Sequence, residues 1–261
     1  MKEFVTRQFS NIKAVVLDLD GTVYEGESLV DGALDSITSL RQHGFGIYFC
    51  TNNSTRTRQE IADKLVRLGI ETTSTLVFSA GYAAAHYLVN KGFTQVSLLG
   101  MPGLKTELIA AGLKVMDRIE QGQALVVGLD QTMTYATMSK FATLLDKNVP
   151  VIACNRDRWF PGDNSELMPG CGIMADLVEA LLGRGIDFVA GKPNTLLLEL
   201  LSKQAGIDKD EILVVGDSLD SDIAVAKAYG SQAILYDPRG AADVYESSIV
   251  SMHDLTEMIL G

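Results

Sequence analysis

Cysteine is scarce. There are three in 261 residues, Cys50, Cys154 and Cys171, far apart and never in a Cys-x-x-Cys pair. That spacing supports neither a disulfide framework nor a zinc ribbon, and it suits reduced thiols in or near a core. No apolar run approaches the roughly 20 residues that span a bilayer. Residues 1–11 are short of the apolar centre of a secretory signal, so a cytoplasmic protein is expected. Positive charge is in deficit, with 22 Lys and Arg against 33 Asp and Glu and a net charge of −11. Such a chain repels a phosphate backbone, which argues against nucleic-acid binding. A small anion handled here needs a local positive site, built from a metal, a few cations and helix N-termini. Histidine numbers three. His43, His86 and His253 all fall at or near expected helix surfaces and ends, so no histidine chemistry is expected. Repeats and low-complexity tracts are absent.

What is present is an alternation of apolar runs and amphipathic segments. Hydrophobic residues make up 47% of the chain, enough for a sizeable core. Residues 12–17, apolar but for Lys13, form a run ending in carboxylates, the pattern of a strand buried on both faces of a parallel sheet. Further strands are expected at 45–50, 76–78, 96–99, 124–127, 149–153, 187–189, 212–215 and 233–236. Helices are expected at 31–43, 80–90, 104–111, 135–146, 172–182, 195–205, 221–229 and 254–260. The pair Thr57 and Glu60 forms a capping box opening another helix that ends at Gly69. This order predicts an α/β, doubly wound parallel sheet.

Four strand ends carry chemistry. Asp18-Leu19-Asp20-Gly21-Thr22 follows the first strand. In open α/β sheets ligands bind at the carboxyl ends of strands, and two carboxylates spaced by two can face one pocket there. Gly21 permits a sharp turn. Thr51-Asn52-Asn53-Ser54 follows the second strand, with short polar side chains and backbone N–H groups suited to an anion's oxygens. Gly191-Lys192-Pro193 supplies a point charge for phosphate ahead of a helix. Gly216-Asp217-Ser218-Leu219-Asp220-Ser221-Asp222 adds carboxylates that, with Asp18 and Asp20, give the hard oxygen donors Mg²⁺ requires.

In this order, DxDGT, TNN, K and GDxxxxD, the four motifs resemble those of the haloacid dehalogenase superfamily of phosphohydrolases. The resemblance spans Asp18 to Asp222. About 140 residues separate Thr51 from Lys192, room for a large inserted cap. Within it, Thr134-Tyr135, the stretch Asn155-Arg156-Asp157-Arg158-Trp159-Phe160-Pro161 and Pro169-Gly170-Cys171-Gly172 resemble the NagD-like, p-nitrophenylphosphatase-like branch with its α/β cap. The resemblance implies a Rossmann-like core over 1–90 and 187–261 with a cap over 91–186.

It also implies roles. Asp18 would be the nucleophile that forms an aspartyl-phosphate, and Asp20 the general acid and then base. Mg²⁺ would sit on Asp18, the Asp20 backbone carbonyl and Asp217, with Asp222 orienting that shell. Thr51, Asn52, Asn53 and Lys192 would hold the phosphoryl oxygens. Asn155 and Asp157, in the cap, would read the leaving group. A dehalogenase of this superfamily lacks a carboxylate two positions after the nucleophile and a P-type ATPase has Thr there, so Asp20 matches the phosphatases. Phe160 stands where relatives acting on pyridoxal phosphate often place His, which weakens that substrate. Ser221 replaces a common Thr, and Cys171 and Ile173 depart from a common small residue and Ser. The expected activity is Mg²⁺-dependent hydrolysis of a small phosphomonoester, a sugar phosphate first and a nucleotide monophosphate second. Two alternatives stand beside it: phosphoryl transfer to an acceptor other than water, and a catalytically idle regulator that binds a phosphorylated metabolite. The partner is a small phosphorylated metabolite, with no nucleic acid and no membrane. Assembly as a homodimer is left open. Trp159 is expected to pack inside the cap, with stacking on a substrate ring as the alternative.

Overall fold

Ala14, Val15, Val16 and Leu17 have no exposed surface. Four successive buried apolar residues cannot alternate between core and solvent, so this strand needs cover on both faces, which only the middle of a parallel sheet supplies. A computed structural model, which describes residues 9, 11–145, 147–161, 166–240, 245 and 247–261, places it there. Strand Ala14–Leu17 pairs in parallel with Gly46–Thr51 on one side and Ile212–Gly216 on the other. The six-stranded sheet runs Ser248–Ile249, Gln232–Tyr236, Ile212–Gly216, Ala14–Leu17, Gly46–Thr51, Val77–Ser79. A second, five-stranded sheet runs Phe188–Val189, Val151–Ala153, Ala124–Val127, Gln95–Leu99, Lys114–Val115, and its paired neighbours are all parallel.

The chain falls into two units. Met1–Thr51, Ala62–Phe78 and Leu198–Gly261 form the first, and Asn52–Ile61 and Ser79–Leu197 the second. The second unit has its own core, in which Leu125, Val127, Val151 and Ala153 of the sheet meet Phe141, Leu144, Ala175 and Val178. In the first, helix Met252–Leu260 lies against Ala33–Gln42, tied by Ser36 Oγ donating to the Met252 carbonyl at 2.5 Å.

Helix starts follow their caps. Glu60 N donates to Thr57 Oγ1 at 3.1 Å and Thr57 N to Glu60 Oε2 at 2.7 Å, the expected reciprocal pair ahead of helix Arg58–Arg67. Ser79 accepts from Tyr82 N and Thr134 from Thr137 N, opening Ala80–Asn90 and Tyr135–Phe141. The expected helix 135–146 is shorter than its pattern suggested, with a 3₁₀ turn at Ala142–Leu144. Its expected last residue lies outside the described residues, as does most of 1–11. The segment expected to be helical from 221 begins as a π turn, Leu219–Ile223, before Ala224–Tyr229.

Two hairpins were not anticipated, Tyr24–Glu25 with Ser28–Leu29 and Trp159–Pro161 with Leu167–Pro169. Strands of two or three residues are too short to show a period of two. Trp159 sits on the second hairpin and is 55% exposed, which corrects the expectation that it packs inside the cap. Strand Phe188–Val189 joins the second sheet, just past the expected cap boundary at 186. The three cysteines are buried and free. Among the described residues no helix is long and apolar enough to cross a membrane.

Candidate active site

The first strand's hydrogen-bond ladder continues one residue past its end, with Asp18 N donating to the Val215 carbonyl at 2.9 Å. This fixes Asp18 beside the strand that delivers Asp217. The chain then closes a tight turn. The Leu19 carbonyl accepts from Thr22, Val23 and Tyr24 N–H groups, and Gly21 N donates to the Tyr24 carbonyl at 2.9 Å. Gly21 adopts φ +90°, a conformation that L side chains rarely take. The stronger constraint is proximity: a Cβ on Gly21 would lie 2.4 Å from Asp217 Oδ2. Gly21 is therefore the gap through which the acidic turn and Asp217 approach one another.

Asp18, Asp217 and Asp222 each offer a carboxylate oxygen within 4.8 Å of the others. Asp18 is 8% exposed and Asp222 is 1% exposed, while Asp217 is open to solvent. Three carboxylates this close repel one another unless a cation or proton intervenes. Hard oxygen donors from two adjacent strand ends fit Mg²⁺. Asp222 also has a structural task, since its Oδ2 accepts from Ser218 N at 3.1 Å and sets the turn that carries Asp217. Asp222 leans on Gly216, where a Cβ would meet its carboxylate at 2.3 Å.

Asp20 is half-buried, and its Oδ2 lies 3.5 Å from the Tyr24 hydroxyl, at the outer limit of a hydrogen bond. Thr51 is 2% exposed and ends Gly46–Thr51, the strand paired with the first. Asp18, Asp20, Thr51, Asp217 and Asp222 thus occupy the carboxyl ends of three adjacent strands of one sheet.

In the second unit, Asn52 is a hub. Its side-chain amide donates to Asp157 Oδ2 at 2.9 Å and to the Lys192 carbonyl at 3.0 Å, and its Oδ1 accepts from Lys192 N at 2.8 Å. Its own carbonyl accepts from Asn155 Nδ2 at 2.6 Å. Asn155 Oδ1 in turn accepts from Asp157 N at 2.9 Å. Lys192 is 2% exposed and Asn155 4%. Gly191 makes this possible, because a Cβ there would meet Asn52 Oδ1 at 2.4 Å and the Cys154 carbonyl at 2.6 Å. Asn53 shapes the loop locally: its Oδ1 accepts from Thr55 N, Thr55 Oγ1 and Arg56 N. The sequence reading placed Asn155 and Asp157 toward a leaving group. The structure turns both ends of the Asn155 amide onto its own loop and Asn52.

Neighbouring charges are tied down. Arg156 bonds Asp176 and Glu179, holding the Glu179 carboxyl below the ordinary carboxylate range. Arg58 lies 3.7 Å over the Tyr82 ring and 3.7 Å from Glu107. Burial pushes the Cys171 thiol up to about 11 and raises Cys154 as well, so neither is a nucleophile near neutrality. His43 turns its ring to the Ser39 carbonyl of its own helix, and His253 lies exposed near Asp31.

Comparison with known proteins gives the same assignment. Residues 15–114 match the family model of haloacid dehalogenase-like hydrolases, and residues 189–244 match a second, HAD-hydrolase-like model. The chain is 33% identical over 222 residues to the sugar-phosphatase AraL of Bacillus subtilis, covering 85% of this chain and 81% of that one. Among solved structures, 4-nitrophenylphosphatase from Thermotoga maritima superposes with a TM-score of 0.88 at 30% identity, covering 96% of this chain and 98% of the other. A glycerol phosphate phosphatase from Mycobacterium tuberculosis in complex with magnesium does so with a TM-score of 0.85 at 28% identity, covering 95% and 78%. The acidic strand ends, the two sheets and these likenesses agree, and the chain belongs to the haloacid dehalogenase-like hydrolases, among the phosphatases of their NagD and p-nitrophenylphosphatase branch.

Proposed function

We propose that this phosphatase hydrolyses a small sugar phosphate through an aspartyl-phosphate on Asp18, with Mg²⁺ as cofactor. The observation that carries the reading is the convergence of Asp18, Asp217 and Asp222 within 4.8 Å. The sugar-phosphate class is supported by the curated relatives, a sugar-phosphatase in Bacillus subtilis and acid sugar phosphatases in Staphylococcus.

In this reading a carboxylate oxygen of Asp18 attacks phosphorus and the bond to the leaving oxygen breaks. Asp20 donates its proton to that oxygen, so an alcohol departs rather than an alkoxide. Asp20, now ionised, takes a proton from water. The hydroxide attacks phosphorus, the bond to Asp18 breaks, and inorganic phosphate is released. Asp18, the Asp20 carbonyl and Asp217 would hold Mg²⁺, which supplies positive charge against the crowded carboxylates and phosphoryl oxygens. Thr51, the Asn52 and Asn53 backbone and Lys192 would hold the phosphoryl group. Asn155 and Asp157 would act through Asn52, whose position they set, on the holding of phosphate and not on the choice of leaving group. We place the core at 1–90 and 187–261 and the cap at 91–186. Support comes from the six-stranded sheet, whose strands lie within 14–79 and 212–249, and from the five-stranded sheet, whose strands lie within 95–153 but for Phe188–Val189 just past the boundary. Three free buried thiols support a reducing, cytoplasmic setting.

The test is phosphate release across a panel of sugar phosphates, nucleoside monophosphates and simple phosphomonoesters, with Mg²⁺ and then with chelator. A sugar phosphate should head the panel, and activity should vanish with chelation and return with Mg²⁺. Full turnover in metal-free buffer would refute the metal-assisted mechanism, and a nucleotide at the head would refute the substrate class.

A further inference from the structure

Lys64 lies in helix Arg58–Arg67 and is 5% exposed. An ammonium is seldom so dry unless its partners replace its water. Three partners come from one place. Lys64 Nζ donates to the Gly26 carbonyl at 2.7 Å and lies 3.6 Å from the centroid of the Tyr24 ring. It is also 3.6 Å from the carboxylate of Glu27, whose side chain is 68% exposed. Tyr24, Gly26 and Glu27 all belong to the hairpin that follows the catalytic turn. Tyr24 is itself 3% exposed, with its hydroxyl 3.5 Å from Asp20 Oδ2. Its backbone carbonyl accepts from Gly21 N. A continuous chain of contacts therefore runs from a buried ammonium, through an aromatic ring, to the carboxylate read above as general acid and base.

We propose that Lys64 and Tyr24 are positioning residues for Asp20. Lys64 locks the hairpin and the Tyr24 ring, and the Tyr24 hydroxyl holds the Asp20 carboxylate in line with the leaving oxygen. The proposal rests on the acid and base reading of Asp20. Proton transfer is sensitive to sub-ångström placement, so a contact on the carboxylate itself bears directly on it. A desolvated cation over a ring is a strong clamp, because the ammonium regains its lost hydration only in that one arrangement.

The experiment compares kcat/KM for an alkyl phosphomonoester, glycerol 3-phosphate, with that for p-nitrophenyl phosphate. The nitrophenolate leaves without a proton and the alkoxide does not, so misplacing Asp20 should separate the two substrates. Tyr24→Phe removes only the hydroxyl. Lys64→Met removes the charge at similar length, and Lys64→Arg restores it. Tyr24→Phe and Lys64→Met should each lower kcat/KM for the alkyl ester by roughly ten-fold and change the nitrophenyl ester less than about two-fold, with inhibition by inorganic phosphate unchanged. Lys64→Arg should recover most of the loss. Equal losses on both substrates, a change in phosphate inhibition alone, or no change at all would overturn the proposal. If Lys64→Met does not fold, Tyr24→Phe decides alone. Asp20→Asn runs beside them as the reference. A split between substrates in Asp20→Asn without one in Tyr24→Phe removes this proposal and leaves the role of Asp20 intact. No split in Asp20→Asn removes that role, and this proposal with it.

Discussion

Asp18→Asn is expected to keep the fold and lose turnover to below about a hundredth of the parent, because it removes the proposed nucleophile and no other group. Circular dichroism and phosphate release on one preparation check both halves. Gly21→Ala probes a different constraint. A methyl there meets Asp217 Oδ2 at 2.4 Å, and φ +90° is strained for alanine. The substitution should cost at least about 1 kcal/mol of stability and raise the Mg²⁺ concentration needed for half-maximal activity. Unchanged stability and unchanged Mg²⁺ dependence would mean that the turn and Asp217 are free to separate. Asp18, Asp20, Asp217 and Lys192 stand out as candidates in the sequence because each follows an apolar run, where an α/β sheet places its ligands. The sequence suggests that Gly21 turns sharply but not that Asp217 fills the space of its missing side chain. Tyr24 and Lys64 are not legible there, because a lysine on the apolar face of its helix, beside Ile61 and Leu65, can equally extend past them to solvent.

The loops around Asn52 were the hardest element to read. Asn52, Asn155, Asp157 and Lys192 are joined by hydrogen bonds across sequence separations above one hundred residues. No local pattern encodes such a bond. Strand 151–153 and helices 80–90 and 171–182 were visible within one or two residues, since continuous burial and periodicity mark them. The short hairpins were not. With its amide turned onto Asn52 and Asp157, Asn155 is expected to act as scaffold. Asn155→Ala leaves the Asn52 carbonyl and Asp157 N without these partners, at a cost of about 1–3 kcal/mol. Activity should fall by a similar factor on sugar phosphates and on p-nitrophenyl phosphate. A loss confined to the sugar phosphates would instead mean that Asn155 touches the leaving group.

Across the whole molecule the thiols report folding. Cys50, Cys154 and Cys171 are 2%, 0% and 3% exposed. In the folded protein at pH 8 none should react with a thiol reagent, and all three should react in urea. Reaction of one thiol without unfolding would contradict the burial. The raised thiols also bear on stability. Each is neutral in the fold, with its pKa above the ordinary 9.0, so its contribution is complete below about pH 9. It drains away as pH rises from there toward about 11, where Cys171 ionises in place. Replacing Cys154 and Cys171 by alanine should flatten that part of the alkaline unfolding curve.

The first sheet carries one more consequence, in time rather than space. Strand Ala14–Leu17 is made first of the pair, and its neighbour Ile212–Gly216 follows about two hundred residues later. At elongation rates of about 5–20 residues per second, the nascent strand waits some ten seconds or more for that neighbour. Until then one edge of four apolar residues lies open, and Asp18 has neither Asp217 nor Asp222 beside it. A ribosome stalled before residue 212 holds a chain that cannot assemble the acidic centre, so the newborn enzyme stays chemically silent until Asp217 and Asp222 have been made.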